Sequence, residues 1–525
     1  MNLTCYGAVR EVTGSMHLIN TETDNILLDC GLCQGRRKDA DAKNRNFQFD
    51  PSILTNVVLS HAHIDHSGKI PVLTKKKFKG QIMSTKASAD ICQYLLPDSA
   101  HIQESDADYL NYKSARATLT RSGGEGIADQ LSNREADRVR RMLKSGGNRL
   151  NREIILSMAE KYGLRTVEPL YTSEDAAFAL GFFNGIPYKT PITIGKNMTC
   201  TFYEAGHILG SAISIIKYKT EKKTLTVCFT GDLGRFDRPI LKNPTLEFNE
   251  EDRDIDLMIM ESTYGDRLHE PTADLDERVT RELNQCFSQG GTVVIPSFAL
   301  GRSQEILYVI HSLYEKGVVP KMPVYVDSPL ASAMTTVFGE HPELYDRDTH
   351  KTFLEQNLNP FYFDKVHFVA SVDESMELMR EKASHIVISA SGMCEAGRIL
   401  HHLRYKIHNP LNTILIVGFM AEHTLGRRIL ELSEAWENSG PKGNPPMVKI
   451  LGKEYPLLAR VVKLGGFSAH ADKDEMMRFL TKSNLRIKKI AVVHGEEAAS
   501  ISFADHLNSN GFRAMVPRVG ESIRV

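Results

Sequence analysis

Long apolar runs are missing from this chain: nowhere do the roughly 18 apolar residues needed to span a bilayer follow one another, which excludes a transmembrane helix. No secretory segment is read at the N-terminus. Cysteine is sparse as well, with 8 scattered over 525 residues, so neither a disulfide framework nor a Cys-rich zinc finger is expected. Cys30 and Cys33 form a single Cys-x-x-Cys and are read as packing and loop residues. A surplus of one charge is also lacking. With 64 Lys plus Arg against 65 Asp plus Glu, the net charge of −1 offers no global attraction to nucleic acid, so any such groove must be locally basic. What remains is an ordinary apolar and charged content, with room for roughly three domain-sized units. A soluble cytoplasmic enzyme is the expectation.

Against that plain background one segment stands out. His61-Ala-His63-Ile-Asp65-His66 places three imidazoles and a carboxylate within six residues, directly after the apolar run Val57-Val58-Leu59, where a strand gives way to a loop. Imidazole and carboxylate donors suit zinc or a similar first-row ion, and four donors packed this tightly suggest two ions rather than one.

Five more positions share one local context: His207, Asp232, Glu261, His470 and His494 each stand at or just past the end of an apolar run. Strand ends on one edge of a sheet converge in space, so residues far apart in sequence can build one site. Any one of the five, read alone, is a turn or core residue as readily as a ligand. Together they point to a shared centre.

The ordered motifs Leu27-Leu-Asp29-Cys-Gly, the His61–His66 cluster, Ala205-Gly-His207-Ile-Leu-Gly-Ser, Phe229-Thr-Gly-Asp232-Leu-Gly-Arg, Met260-Glu261-Ser-Thr-Tyr-Gly, Phe467-Ser-Ala-His470 and Val493-His494-Gly-Glu span nearly the whole chain. In them it resembles the metallo-β-lactamase fold nucleases of the β-CASP group, which include the endonuclease subunit of the cleavage and polyadenylation specificity factor. Pro296-Ser-Phe-Ala-Leu-Gly-Arg302, Val326-Asp-Ser-Pro-Leu-Ala331 and Ser389-Ala-Ser-Gly-Met-Cys394 resemble the group's inserted nucleic-acid-clamping domain.

The resemblance implies an αββα sandwich with an inserted α/β domain, and two Zn2+ per chain. It implies that His61, His63 and His207 hold one ion, that Asp65, His66 and His494 hold the other, and that Asp232 bridges them. Two such ions would stabilise both the entering and leaving oxygens of an in-line displacement at phosphorus. Asp29 is left to orient a ligand or the bridging water. His470 would protonate the leaving 3′-oxygen with Glu261 orienting it, and Asp65 counts with both as catalytic. Relatives acting on DNA typically carry valine where this chain has His494, so single-stranded RNA is the expected substrate. Arg302, Ser389, Ser391, Gly392 and Arg398 are the expected RNA contacts, a small-residue turn before a helix offering N–H groups to phosphate.

Residues 1–265 read as the first part of the metallo-β-lactamase domain, 266–442 as the β-CASP insertion, and 443–525 as the return to the first domain. The Gly- and Pro-rich stretch 437–446 is the clearest linker. About fifty residues, 114–165, are extra relative to compact members of the group. They carry eleven Arg and Lys against six Asp and Glu and read as two helices: Ser132-Asn-Arg-Glu135 opens one that Ser145 closes, and Leu150, Ile154 and Met158 lie on the second. This insertion is expected to extend the RNA-binding surface beside the cleft or to contact a ribonucleoprotein. A homodimer, common in the group, is left open by the residues. So are two other functions, a small-molecule metallo-hydrolase and a non-catalytic RNA-binding subunit, though the motifs at Glu261 and His470 weigh against the first and the full ligand set against the second. No counterpart to the extra C-terminal domain of RNase J is expected, which favours the polyadenylation-factor branch.

Overall fold

The computed structural model describes residues 1–35, 37–119, 133–144, 150–270, 274–356, 358–440 and 443–525. Two seven-stranded sheets face each other. The first has the strand order Ser522–Arg524, Asn2–Gly7, Met16–Asn20, Asn25–Leu28, Asn56–Val58, Ile82–Thr85, Phe183–Ile186. The second runs Ala514–Met515, Ile490–Val493, Leu257–Glu261, Thr224–Phe229, Ala212–Lys219, Met198–Glu204, Ile192–Gly195.

Successive side chains of a strand point to opposite faces, so a strand covered on both sides must be apolar throughout. In Leu257–Glu261, Leu257 and Ile259 pack between the sheets while Met258 and Met260 face the helices Lys473–Lys482 and Glu497–Ser509. On the other sheet Ile26 and Leu28 point inward, and Leu27 joins the core that includes Ile91 and Leu95 of the long helix Lys86–Thr118. The result is the expected helix–sheet–sheet–helix sandwich. Among the described residues no helix is long and apolar enough to cross a membrane.

A third sheet of six parallel strands forms the inserted unit, in the order Val366–Phe368, Val324–Val326, Ile386–Ser389, Val293–Pro296, Thr413–Ile416, Arg460–Lys463. Its last strand moves the boundary expected at 442. Val448, Ile450, Leu457 and Val461 pack in one core with Val294, Val387 and Ile399, because the hairpin Met447–Pro456 and the strand after it complete the buried face of this sheet. Of the stretch read as a linker, Glu437 and Asn438 still belong to the helix Leu425–Asn438, and residues 441 and 442 lie outside the described residues. Both ends of the unit return to one place, where Tyr264 pairs with Asp472 and Gly234 with His470.

The extra segment folds as helices Asn133–Met142 and Arg152–Lys161 docked on the end of the long helix, with Tyr112, Ala115, Leu119, Leu143, Ile155 and Met158 as a small core of its own. Ser132 and Ser145 lie outside the described residues. Leu150 precedes the second helix rather than lying on it, since Asn151 is the cap that accepts from Ile154 N. The segment is also not beside the cleft. Ser88, near the helix start, donates to Gly210 O in the loop after His207, whereas Arg152 meets Asp108 twenty residues further along, about 30 Å at 1.5 Å per residue.

Candidate metal centre and cleft

Within the second sheet, Met198–Glu204, Thr224–Phe229, Leu257–Glu261 and Ile490–Val493 all run the same way, the middle strand Ala212–Lys219 being antiparallel to its two neighbours. Their C-terminal ends therefore share one edge, and that edge carries His207, Asp232, Glu261 and His494. The matching edge of the first sheet carries Asp29 after Leu28 and His61 after Asn56–Val58.

The His61–His66 loop is fastened on several sides. Ser15 N donates to Asp65 O (2.8 Å) and Cys30 N to His66 O (2.7 Å). Gly31 lies so close that an added Cβ would stand 1.7 Å from Asp65 O, so only glycine fits there. His494 adopts φ 50°, unusual for a residue with a side chain, and its N–H donates to Ala8 O (2.7 Å).

Ligand atoms of His61, His63, His207 and Asp232 lie within 4.8 Å of one another, and so do those of Asp65, His66 and His494. In the first group His61 Nε2 is 3.1 Å from His63 Nδ1, and His207 Nε2 is 3.3 Å from the same atom. In the second, His66 Nε2 and His494 Nε2 are 3.1 Å apart. Asp232 Oδ2 reaches His61 Nε2 (3.5 Å), His66 Nε2 (3.3 Å) and His207 Nε2 (3.6 Å), and so touches both groups.

Ring nitrogens converging on each other at hydrogen-bond distance call for a cation among them. Asp232 Oδ1, buried and without a hydrogen bond, fits the same requirement. In His61, His66 and His494 the opposite nitrogen is engaged, which sets which atom of each of these rings faces inward. His61 Nδ1 meets Ser60 Oγ (3.0 Å), Asp29 Oδ2 accepts from His66 Nδ1 (2.6 Å), and His494 Nδ1 meets Thr263 Oγ1 (3.2 Å). Asp29 also accepts from Ser60 N, Ser60 Oγ and Ser15 Oγ, so it is fixed behind the His66 ring.

Burial holds His61 and His207 well below the ordinary imidazole range and His63 at about 4, keeping their nitrogens unprotonated. Burial alone would raise Asp65, but His66 and His494 hold it at about 2. At His470 burial works downward, and Glu261 with Asp232 overcomes it to bring the ring up to about 9. His470 Nδ1 lies 3.2 Å from Glu261 Oε1 and 3.8 Å from Asp232 Oδ2. Glu261 accepts from Leu233 N and Thr263 N, which fixes it at the strand end.

Comparison with known proteins agrees with this geometry. A family model described as the metallo-beta-lactamase superfamily matches residues 9–97, the Beta-Casp domain matches 303–429, and a Zn-dependent metallo-hydrolase RNA specificity domain matches 454–517. Ribonuclease TTHA0252 of Thermus thermophilus is 30% identical over 526 residues, covering 100% of both chains. The chain belongs to the β-CASP ribonucleases of the metallo-β-lactamase superfamily.

Other β-CASP relatives include Probable RNase MJ4 of Methanocaldococcus jannaschii, 24% identical over 100% of both chains. Transcription termination factor FttA of Methanosarcina mazei is 25% identical, covering 96% of this chain and 68% of its own length. A crystal structure of a protein of unknown function from Enterococcus faecalis shares the fold at a TM-score of 0.50 and 13% identity, covering 99% of each chain.

For this β-CASP chain the expected RNA contacts need revision. Ser389 is the buried last residue of its strand and donates to Asp327 O (2.8 Å), so its hydroxyl is not offered to a ligand. Arg398 is committed to Asp327 (2.6 Å) and Arg302 to Glu305 (2.5 Å). Ser391 Oγ accepts from Glu395 N and Ala396 N within its own turn, and Gly392 lies against the Phe298 ring. Ser15, Ser60, Thr263 and His269 support the centre without having been read from sequence. Ser60 and Thr263 adjoin motif residues; nothing in the sequence marks Ser15 or His269, whose Nε2 donates to His470 O (2.9 Å).

Proposed function

We propose that this chain is a two-zinc endoribonuclease that cuts single-stranded RNA in the cleft between its two units. The observation that carries this is the approach of His470, delivered by the chain returning from the inserted unit, to Glu261 and Asp232 of the sandwich. His61, His63 and His207 would hold one ion and Asp65, His66 and His494 the other, with Asp232 shared. Bound there, the ions supply Lewis acidity and a nucleophilic water at neutral pH. Glu261 fixes Nδ1 of His470, and the ring's other nitrogen, without a hydrogen bond among the described residues, can give its proton to the leaving 3′-oxygen. Asp29, bonded to Nδ1 of His66, would leave Nε2 of that ring to hold a metal.

The relatives named as ribonucleases support RNA as substrate. Those named FttA make nascent transcripts the first natural RNA to try. The helical segment 114–165 we read as a distant RNA-binding platform rather than a wall of the cleft. Arg138, Arg141 and Lys144 line a groove of about 860 Å3 there.

The test is cleavage of 5′- and 3′-labelled single-stranded RNA by zinc-loaded protein, beside His63→Ala, His470→Ala and a DNA strand of equal sequence. Internal RNA fragments that vanish in both variants, with DNA spared, support the reading. Intact RNA in the presence of bound zinc overturns it.

A further inference from the structure

The C-terminal edge of the inserted sheet faces the metal centre. A Cβ built on Gly301, at the start of helix Arg302–Glu315, would lie 3.7 Å from Ile208, the residue after His207. Arg302 sits over the ring of Phe467, three residues before His470, with 5.6 Å between guanidinium and ring centre. Two aromatic rings on this edge stand open to solvent: Phe298, two residues past the strand Val293–Pro296, is 40% exposed, and Phe419, three past the neighbouring strand Thr413–Ile416, is 56% exposed.

Single exposed apolar residues are common and need no explanation. Here, however, the two lie on adjacent strand ends, and the loop chemistry fits them. Phe298 rests on backbone that carries no side chain: a Cβ at Gly392 would come within 2.8 Å of its ring, and one at Gly418 within 3.8 Å. Ser303 pins it from below, its Oγ donating to Phe298 O (2.8 Å). Neither ring pairs with another among the described residues. At the foot of the edge Arg238 and Arg302 both pair with the carboxylate of Glu305.

Flat aromatic rings exposed side by side above a cleft are an element of a single-strand binding site, where bases stack without regard to sequence. We propose that Phe298 and Phe419 each stack one base of the RNA strand entering the cleft, acting as a platform that sets the distance between two neighbouring bases and the bond that is cut. This rests on the ribonuclease reading and adds the contact by which the substrate is held. Arg302, paired as it is, contributes to the local field rather than a dedicated phosphate clamp.

The experiment uses zinc-loaded protein in a His470→Ala background, a labelled 20-nucleotide RNA, and a set of the same RNA with an abasic ribose at each position in turn. Two positions should show binding weakened by roughly 5- to 150-fold when the base is missing. Phe298→Leu and Phe419→Leu keep an apolar side chain but lose the flat face, and each should erase the penalty at one position, while Phe419→Trp should keep it. A flat abasic profile, or penalties unchanged in both leucine variants, overturns the platform. If wild-type protein still cuts RNA in that case, the ribonuclease reading stands without it; if the wild type neither binds nor cuts RNA, both fall.

Discussion

His470 Nδ1 lies 3.2 Å from Glu261 Oε1, although 209 residues separate them in the chain. The contact exists because the inserted unit leaves the sandwich just after Glu261 and returns just before His470, where Gly234 pairs with His470 itself. Replacing His470 with Ala should lower kcat for RNA cleavage by about 100- to 10,000-fold, the usual contribution of a positioned acid. Zinc content should stay at the wild-type level. Single-turnover cleavage with metal analysis decides it, and a loss of zinc in step with activity would reassign His470 to the ligand set.

Removing the metal should cost stability as well as activity. Without a cation the converging nitrogens of His66 and His494 and the unpaired Asp232 Oδ1 remain buried. Ligand-linked stabilisation is about 4 kcal/mol at a metal concentration 1,000 times Kd, so chelation should lower the unfolding midpoint by several degrees and added zinc restore it. His494→Ala should bring bound zinc from two equivalents to one. Two equivalents retained would refute the ligand assignment.

Asp29 stands at φ 57°, a conformation asparagine tolerates, so Asp29→Asn should fold. It should weaken zinc binding by about 10- to 100-fold, because the amide cannot hold the proton of His66 Nδ1 as the carboxylate does. Competition against a chromophoric chelator gives the number. Unchanged affinity would show that Ser60 and the backbone suffice to orient His66.

Arg138 and Arg141 are exposed on the docked helical segment, and Lys144 beside them. Arg140 is better left alone, since it donates to Leu119 O and Asp137 and so holds the segment together. Substituting Gln for Arg138, Arg141 and Lys144 should reduce the slope of log affinity against log salt for a long RNA by about 2, at roughly 0.7 per lost phosphate contact. RNAs too short to cross the roughly 30 Å from the cleft should show no change. An equal effect on short and long RNA would mean a disturbance of the cleft itself.

Burial pushes Glu204 up to about 7 from its ordinary 4.5, while its carboxylate accepts from Gly206 N (2.9 Å). The folded state therefore holds this proton more tightly than the unfolded one, so its contribution is fully present at low pH and is lost as pH rises from about 4.5 through 7. Glu204→Gln should remove a pH-dependent cost on the order of 1–3 kcal/mol and raise the unfolding midpoint at pH 8 relative to pH 5, compared with wild type. Parallel pH profiles for the two proteins would exclude it.

The dense spacing of His61, His63, Asp65 and His66, and the placement of His207, Asp232, Glu261 and His494 at the ends of apolar runs, were legible in the chain because strand ends and metal donors leave local marks. So were the apolar runs before those ligands, which become strands buried on both faces. What only the tertiary structure decided is which atoms meet. Ser15 and His269 joined the centre through backbone and side-chain bonds with no local signature, and Ser389, Arg302 and Arg398 turned inward because Asp327 and Glu305 claim them. The strand Arg460–Lys463 joined the inserted sheet although a Gly- and Pro-rich stretch before it reads as a boundary, since the open parallel edge at Thr413–Ile416 offered it backbone partners. The helical segment, basic by composition, was carried away from the cleft by the length of the helix it rides on, a distance that no composition encodes.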